Sequence, residues 1–227
     1  MRSIQTRIVE IGVEEYSHFV QLERMPGGPS RAGQYYLAYE PGQGQVLATP
    51  LYPWRKVSGD QALSGVIPAV WMPGTRLAVR GPLGHGFELP PTARRVAVVS
   101  FKKDVLRLSA LFHQALRQQG AIVMYSDVFE ARLPEEIEIL PLDALPELWP
   151  WADYAAIYTS DGLIPGLGER LNLNPGNKPS FPVEVLIDVP MVCGGLADCG
   201  ICAVPGRRRW MLACKDGPVF QLEDLEV

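Results

Sequence analysis

Cys193, Cys199, Cys202 and Cys214 are all the cysteines the chain has, and they fall together in CGGLADCGIC and ACKDGPVF near its C-terminal end. Thiols bunched in this way are metal-ligand chemistry in a reducing compartment and disulfide chemistry in an oxidising one. The N-terminus, MRSIQTRIVEIGVEEYSHF, alternates charged and apolar residues with no basic stretch followed by an apolar one, so no secretion signal is read there. The longest apolar runs, such as VAVV at 96–99, fall far short of the roughly 18–20 residues that span a bilayer. The expectation is a cytoplasmic chain without a membrane span, whose thiols hold metal.

The spacing C-x5-C-x2-C-x11-C is close to the C-x4-C-x2-C…C pattern of plant-type 2Fe-2S proteins. Three thiolates around one small cluster need a loop that folds back on itself. Gly194, Gly195 and Gly200 permit positive φ and bring backbone N–H groups toward the sulfurs, while Ala197 and Ala203 keep the wall thin. A structural zinc site would usually show two separate C-x2-4-C knuckles. A Cys199/Cys202 redox pair would sit at a strand-to-helix junction, which GICAVPG does not make. The 2Fe-2S cluster leads on spacing, with zinc as its main rival and disulfides behind both.

A segment this rich in Gly and Cys cannot be ordered by a hydrophobic core of its own. Fixing each residue costs about 1–2 kcal/mol, which must be offset, and metal-ligand bonds are the obvious candidate for doing so ahead of the elements that precede the segment. Those elements are legible upstream. From residue 3 to about 89, IQTRIVEIGV, HFVQLER, QYYLAYE, QVLATPL, VIPAVWM and RLAVRG read as six strands separated by PGGPS, EPGQG and MPGT, which predicts a small antiparallel barrel. After PPTARR, RVAVVSF reads as a buried strand, DVLRLSALFHQALRQQG as a helix ending on Gly120, and AIVMYSD as the next parallel strand. YAAIYTS and VEVLID add two more strands, with LPELWPW and the LGERL region as helical links. This is an α/β unit of the nucleotide-binding type. The predicted division is 1–90 barrel, 91–190 α/β domain and 191–227 cluster domain.

With 47% hydrophobic and 20% charged residues the chain can build a substantial core, and a net charge of −4 argues against a nucleic-acid surface. Arg207, Arg208 and Arg209 form the one basic run, read as a solvated turn or a docking patch beside the thiols. His18, His85 and His113 are scattered, and no Ser-His-Asp set, HExxH or Walker loop occurs. Trp54 and Trp71 are read as packing residues that could alternatively stack on a flavin ring. Tyr35 and Tyr36 share one strand, so only one can face the barrel interior.

CGGLADCGIC followed by ACKDGPVF, together with GPLGHGFELP at 81–90, resembles the electron-transfer subunit of type B dihydroorotate dehydrogenase, a branch of the ferredoxin reductase superfamily. The resemblance implies a flavin-binding barrel, a nicotinamide domain and a C-terminal 2Fe-2S domain held by Cys193, Cys199, Cys202 and Cys214. It also implies FAD on Thr49, Pro50, Leu51 and Tyr52, which match an RPxS-like stretch, and a catalytic flavoenzyme subunit as partner. Thr49 stands where that stretch has Arg, Tyr52 where it has Ser, and GVIPAV at 65–70 where a Gly-rich turn would face the same phosphates. Losing the cation removes charge-assisted hydrogen bonds to phosphate. No glycine lies between Val96 and Gln119 to bring a pyrophosphate to a helix N-terminus, although Lys102 and Lys103 could meet an anion.

The expected function is an iron–sulfur electron-transfer subunit relaying electrons to or from a partner oxidoreductase, not a self-sufficient NADH-dependent reductase. The alternative is a structural or regulatory paralogue that keeps the cluster and has lost flavin and nicotinamide chemistry.

Overall fold

The computed structural model describes residues 3–14, 17–42, 47–55, 60–128, 133–173 and 179–227. The first unit is a closed antiparallel barrel of β1 (Ile4–Glu14), β2 (Ser17–Leu22), β3 (Tyr35–Tyr39), β4 (Thr49–Arg55), β5 (Gln61–Ser64) and β6 (Arg76–Leu83), in the order β1-β2-β5-β4-β3-β6. Strand alternation fills it: Tyr36 and Ala38 of β3 and Leu77 and Val79 of β6 point inward onto Leu51, Leu63 and Trp71. The six-strand expectation holds in number, and one strand is elsewhere. VIPAVWM is a loop whose Pro68 carbonyl accepts the Trp71 N–H at 3.0 Å, and β5 comes from Gln61–Ser64 instead. Pro68 cannot donate to a sheet ladder, which is why the apolar run fails as a strand. The expected strand over 45–51 begins at residues outside those described and continues as β4.

The second unit is a six-stranded sheet in the order β14-β11-β10-β7-β8-β9. It comprises β7 (Arg95–Ser100), β8 (Ala121–Tyr125), β9 (Ile137–Leu140), β10 (Tyr154–Ser160) and β11 (Val183–Asp188), all parallel, with β14 (Val219–Gln221) antiparallel at the edge. Both faces are covered, as parallel sheets require. Val96 and Val98 face α1 (Ser109–Arg117), while Ala97 and Val99 face α2 (Leu145–Trp151) and α3 (Leu167–Arg170). The helix after β7 begins with a 3-10 turn at Leu106–Leu108, and Gln119 and Gly120 end it.

The C-terminal segment adds a short hairpin, β12 (Ala203–Pro205) with β13 (Trp210–Leu212), turned by the three arginines. It packs on the α2/α3 face of the sheet, where Cys202, Val204, Ala213 and Cys214 join the same apolar cluster as Ala155 and Val185. Among the described residues no helix is long and apolar enough to cross a membrane.

Candidate metal centre

The hairpin brings the third and fourth cysteines together, since Ala203 opposes Leu212 across β12 and β13 and the Ala213 N–H bonds the Cys202 carbonyl at 2.9 Å. The thiols form two pairs. Cys193 interacts with Cys199, and Cys214 with Cys202. All four are free, with Cys202 and Cys214 buried and Cys199 exposed. Among the described residues no three His, Cys, Asp or Glu side chains converge as a single-ion site. Two pairs side by side suit two metal atoms better than one tetrahedron.

The loop between the first two cysteines turns its amides onto the sulfurs. Gly194, Gly195, Ala197 and Gly200 all take positive φ, from 65° to 71°. Left-handed residues set within a turn let neighbouring N–H groups face one point, the concave backbone form that binds anions and iron–sulfur groups. Here the amides of Leu196, Asp198 and Cys199 donate to Cys193, and that of Ala197 donates to Cys214. The longer first gap is absorbed by Ala197 itself, a non-glycine residue held left-handed. Burial pushes the Cys193 thiol up, yet these amides and the Cys199 thiol outweigh it and bring it down to about 6. Burial first, then the neighbouring Cys202, pushes Cys214 up to about 12. The donor set fits a 2Fe-2S cluster, with sulfur pairs for two irons and N–H groups against the thiolates.

The barrel closes the back of this loop. The Tyr35 hydroxyl donates to the Cys214 carbonyl at 3.1 Å, and Arg80 Nη2 donates to the Gly194 carbonyl. A Cβ on Gly195 would stand 2.7 Å from the Tyr35 oxygen, so only glycine fits. Tyr36 fills the barrel, and Tyr35 is equally buried on the opposite face of β3, beneath the cysteines. The two motifs GPLGHGF and CKDGPVF also meet: the His85 N–H bonds the Gly217 carbonyl at 2.6 Å, and His85 Nδ1 lies 3.0 Å from the Asp216 carbonyl. Arg209 pairs bidentately with Asp216, the closest of these contacts being 3.1 Å.

Comparison with known proteins bears on this segment directly. Residues 190–226 match the family model of the iron-sulfur cluster binding domain of dihydroorotate dehydrogenase B. Beyond it, the chain is 27% identical over 185 residues to the probable dihydroorotate dehydrogenase B (NAD(+)), electron transfer subunit, of Thermococcus kodakarensis, covering 67% of this chain and 68% of that one. The chain is similar to a dihydroorotate dehydrogenase B electron-transfer subunit, and most specifically in its cysteine segment. Among solved structures, the NADH-dependent reduced ferredoxin-NADP oxidoreductase superimposes with a TM-score of 0.65 at 18% identity, covering 97% of this chain and 89% of that one. A ferredoxin-NADP+ reductase variant from Plasmodium falciparum gives 0.56 at 10% identity, over 81% and 96%. These share the fold: a six-stranded barrel, then a doubly covered sheet.

The crevice where barrel and sheet meet is the second place where charged and aromatic side chains converge. Strand order reverses between β7 and β10, and ligands of doubly wound sheets bind outside the C-terminal ends of the strands at such a point. There Arg107, 5% exposed, donates to Asp188 at 2.7 Å and lies over the rings of Tyr52 and Tyr158, 3.8 Å and 5.4 Å from their centroids. Lys102 reaches the other oxygen of Asp188 at 2.9 Å. Of the four residues implied for FAD, Leu51 is in the barrel core, Pro50 pairs with Leu37, Thr49 offers a hydroxyl where a cation is implied, and Tyr52 is capped by Arg107. A flavin ring seated on Tyr52 would have to displace Arg107. Trp54 stacks on Phe19 at 5.2 Å and Trp71 lies in the barrel core, both as packing residues.

Sequence reasoning missed Tyr35 and Arg80 as neighbours of the thiols and Arg107 as the residue in the crevice. Each lies far along the chain from what it touches. The one available signal was a tyrosine facing out of a barrel strand, which the Tyr35/Tyr36 alternation required.

Proposed function

We propose that this chain is an iron–sulfur electron-transfer subunit in which Cys193, Cys199, Cys202 and Cys214 hold a 2Fe-2S cluster and relay electrons to or from a partner oxidoreductase. The observation that carries it is the pairing of the four thiols, two by two, under a nest of backbone N–H groups. A bound 2Fe-2S cluster takes up and gives back one electron at a time. The chain's own residues do the rest. Cys193 and Cys199 face outward on a loop whose Leu196 and Ile201 are 59% and 54% exposed, a surface suited to a partner's redox centre. Cys202 and Cys214 face inward, where apolar packing excludes water and the barrel supports their backbone. The amides of Leu196, Ala197, Asp198 and Cys199 stabilise thiolate charge without supplying a proton that must move.

The division that goes with this reading is barrel 1–90, α/β domain 91–190 and cluster domain 191–227, with β14 of the last unit serving as the sheet's edge strand. The partner is a catalytic oxidoreductase subunit, a flavoenzyme of the dihydroorotate dehydrogenase type, and the location is the cytoplasm, where thiols stay reduced.

Iron, acid-labile sulfide, zinc and flavin are measured on one anaerobically purified sample, with visible spectra before and after dithionite. About two irons and two sulfides per chain, with bleaching on reduction, are expected. Stoichiometric zinc in place of iron would overturn the reading. One acid-released flavin per chain would show that Arg107 is displaced from Tyr52 and that FAD takes part.

A further inference from the structure

Two charged features lie near the thiols in the sequence, Asp198 and the Arg207–Arg209 run, but neither is the cation that the fold presses against the cysteine loop. Arg209 is engaged with Asp216, and Arg207 donates through Nε to the Leu225 carbonyl at 3.2 Å, just past the 3-10 turn that follows β14. Arg80 comes from β6 of the barrel instead. Its guanidinium donates to the Gly194 carbonyl, one residue from Cys193, and lies 3.5 Å from where a Cβ of Gly195 would stand. Among the described residues no carboxylate pairs with it. It is half-buried, so water screens its charge incompletely.

Tyr35 does the matching work at the other end. Its hydroxyl holds the Cys214 carbonyl, and the same oxygen sits where a side chain at Gly195 would go. Between them, two residues on neighbouring barrel strands grip the backbone of both cysteine-bearing stretches. With its carbonyl fixed by Arg80, Gly194 stays left-handed and the following amides stay aimed at sulfur.

We propose that Arg80 and Tyr35 are positioning residues for the metal centre, and that the Arg80 charge biases the bound cluster toward its reduced, more negative state. This rests on the cluster reading above. The physical basis is general: a nearby cation stabilises the added electron, and net charge and hydrogen bonding around the sulfurs set the potential.

The test uses the full chain, as wild type, Arg80→Ala, Arg80→Lys and Tyr35→Phe, with Arg209→Ala as the charge control. Iron and sulfide are counted on each, and the midpoint potential is followed by absorbance in a mediated titration. Arg80→Ala is expected to make reduction at least tenfold less favourable, about 59 mV more negative for a one-electron couple. Arg80→Lys and Arg209→Ala should stay within threefold of wild type. Loaded Arg80→Ala with an unchanged potential would overturn the charge role. Amide exchange over residues 194–199, measured on the cluster-free chain, tests the grip independently of iron. It should quicken at least tenfold in Arg80→Ala and in Tyr35→Phe, and equal protection in all three chains would overturn the positioning role. A wild-type chain carrying zinc instead would fail the cluster reading and leave the exchange result to judge the grip.

Discussion

Arg107 stacks on Tyr52 across the boundary between the two large units, a guanidinium from the 3-10 turn before α1 laid on a ring from the barrel. Its remaining bonds go to Asp188 and Tyr158, so one side chain joins β4, β10 and β11.

Arg107→Ala therefore removes a buried cation, its contacts with two rings and one of the two cations that neutralise Asp188. Lys102 remains on that carboxylate, which limits the cost. A loss of about 2–3 kcal/mol is expected in urea unfolding, with Arg107→Lys intermediate. The same change frees the Tyr52 face, so FAD should bind Arg107→Ala at least tenfold tighter than wild type in a fluorescence titration. Equal affinities would mean that Arg107 does not guard the crevice.

Gly194 and Gly195 make a matched pair of tests in the thiol loop. Both have positive φ, which costs an alanine about 1–2 kcal/mol. Only Gly195 also faces a hard obstacle, the Tyr35 oxygen at 2.7 Å, whereas nothing closer than 4.0 Å stands over Gly194. Gly195→Ala should lower iron per chain severalfold more than Gly194→Ala. Equal iron content in the two variants would mean that the Tyr35 contact does not limit the loop.

Alkaline stability follows from the buried tyrosines. Tyr154 is held well above its ordinary value near 10, by burial first and then by Glu184, to which it donates. The folded value lies above the unfolded one, so the stabilisation is whole below pH 10 and is lost as pH rises from there toward the folded value. Tyr35, Tyr36 and Tyr158 shift the same way, also chiefly by burial. Melting temperature should fall steeply above pH 10. Tyr154→Phe should be less stable at pH 8, because Glu184 loses a donor, yet decline less between pH 10 and 11.5. A slope identical to wild type would show that Tyr154 does not titrate on unfolding.

Asp216 offers a contrast between an exposed and a sheltered bond. Arg209 is 65% exposed in its side chain, so Arg209→Ala should leave the urea midpoint indistinguishable from wild type. Asp216→Ala also orphans the Leu212 N–H, now bonded at 2.8 Å, and should cost about 1–2 kcal/mol in the same urea assay.

The order of barrel, α/β sheet and cysteine segment could be read from residue texture, because turn chemistry and hydrophobic period are local properties. The thiols could be read as well, since their chemistry is fixed by residue type and spacing. What escaped was short or non-local. Gln61–Ser64 offers four residues with no alternation to recognise, and Ile137–Leu140 is as short, with Glu138 and Ile139 both exposed on an edge strand. VIPAVWM, by contrast, had the composition of a strand and lost its ladder to a proline. Arg80, Tyr35 and Arg107 carry nothing in their neighbours along the chain that announces a thiol or a crevice. Their roles come from barrel closure and from strand order, which bring residues 114 and 179 positions apart into hydrogen bonds.

The stretch from β11 to β14 leaves one sheet and returns to the neighbouring position in it, with β14 paired antiparallel to the strand from which the excursion departed. Its feet thus stand on the α/β unit while its back is gripped by the barrel. A hinge between the two units would tug on the four thiols before it disturbed either fold, so the cysteine segment works mechanically as a tie-bar. Whatever tilts the barrel against the sheet is transmitted as a change in sulfur geometry.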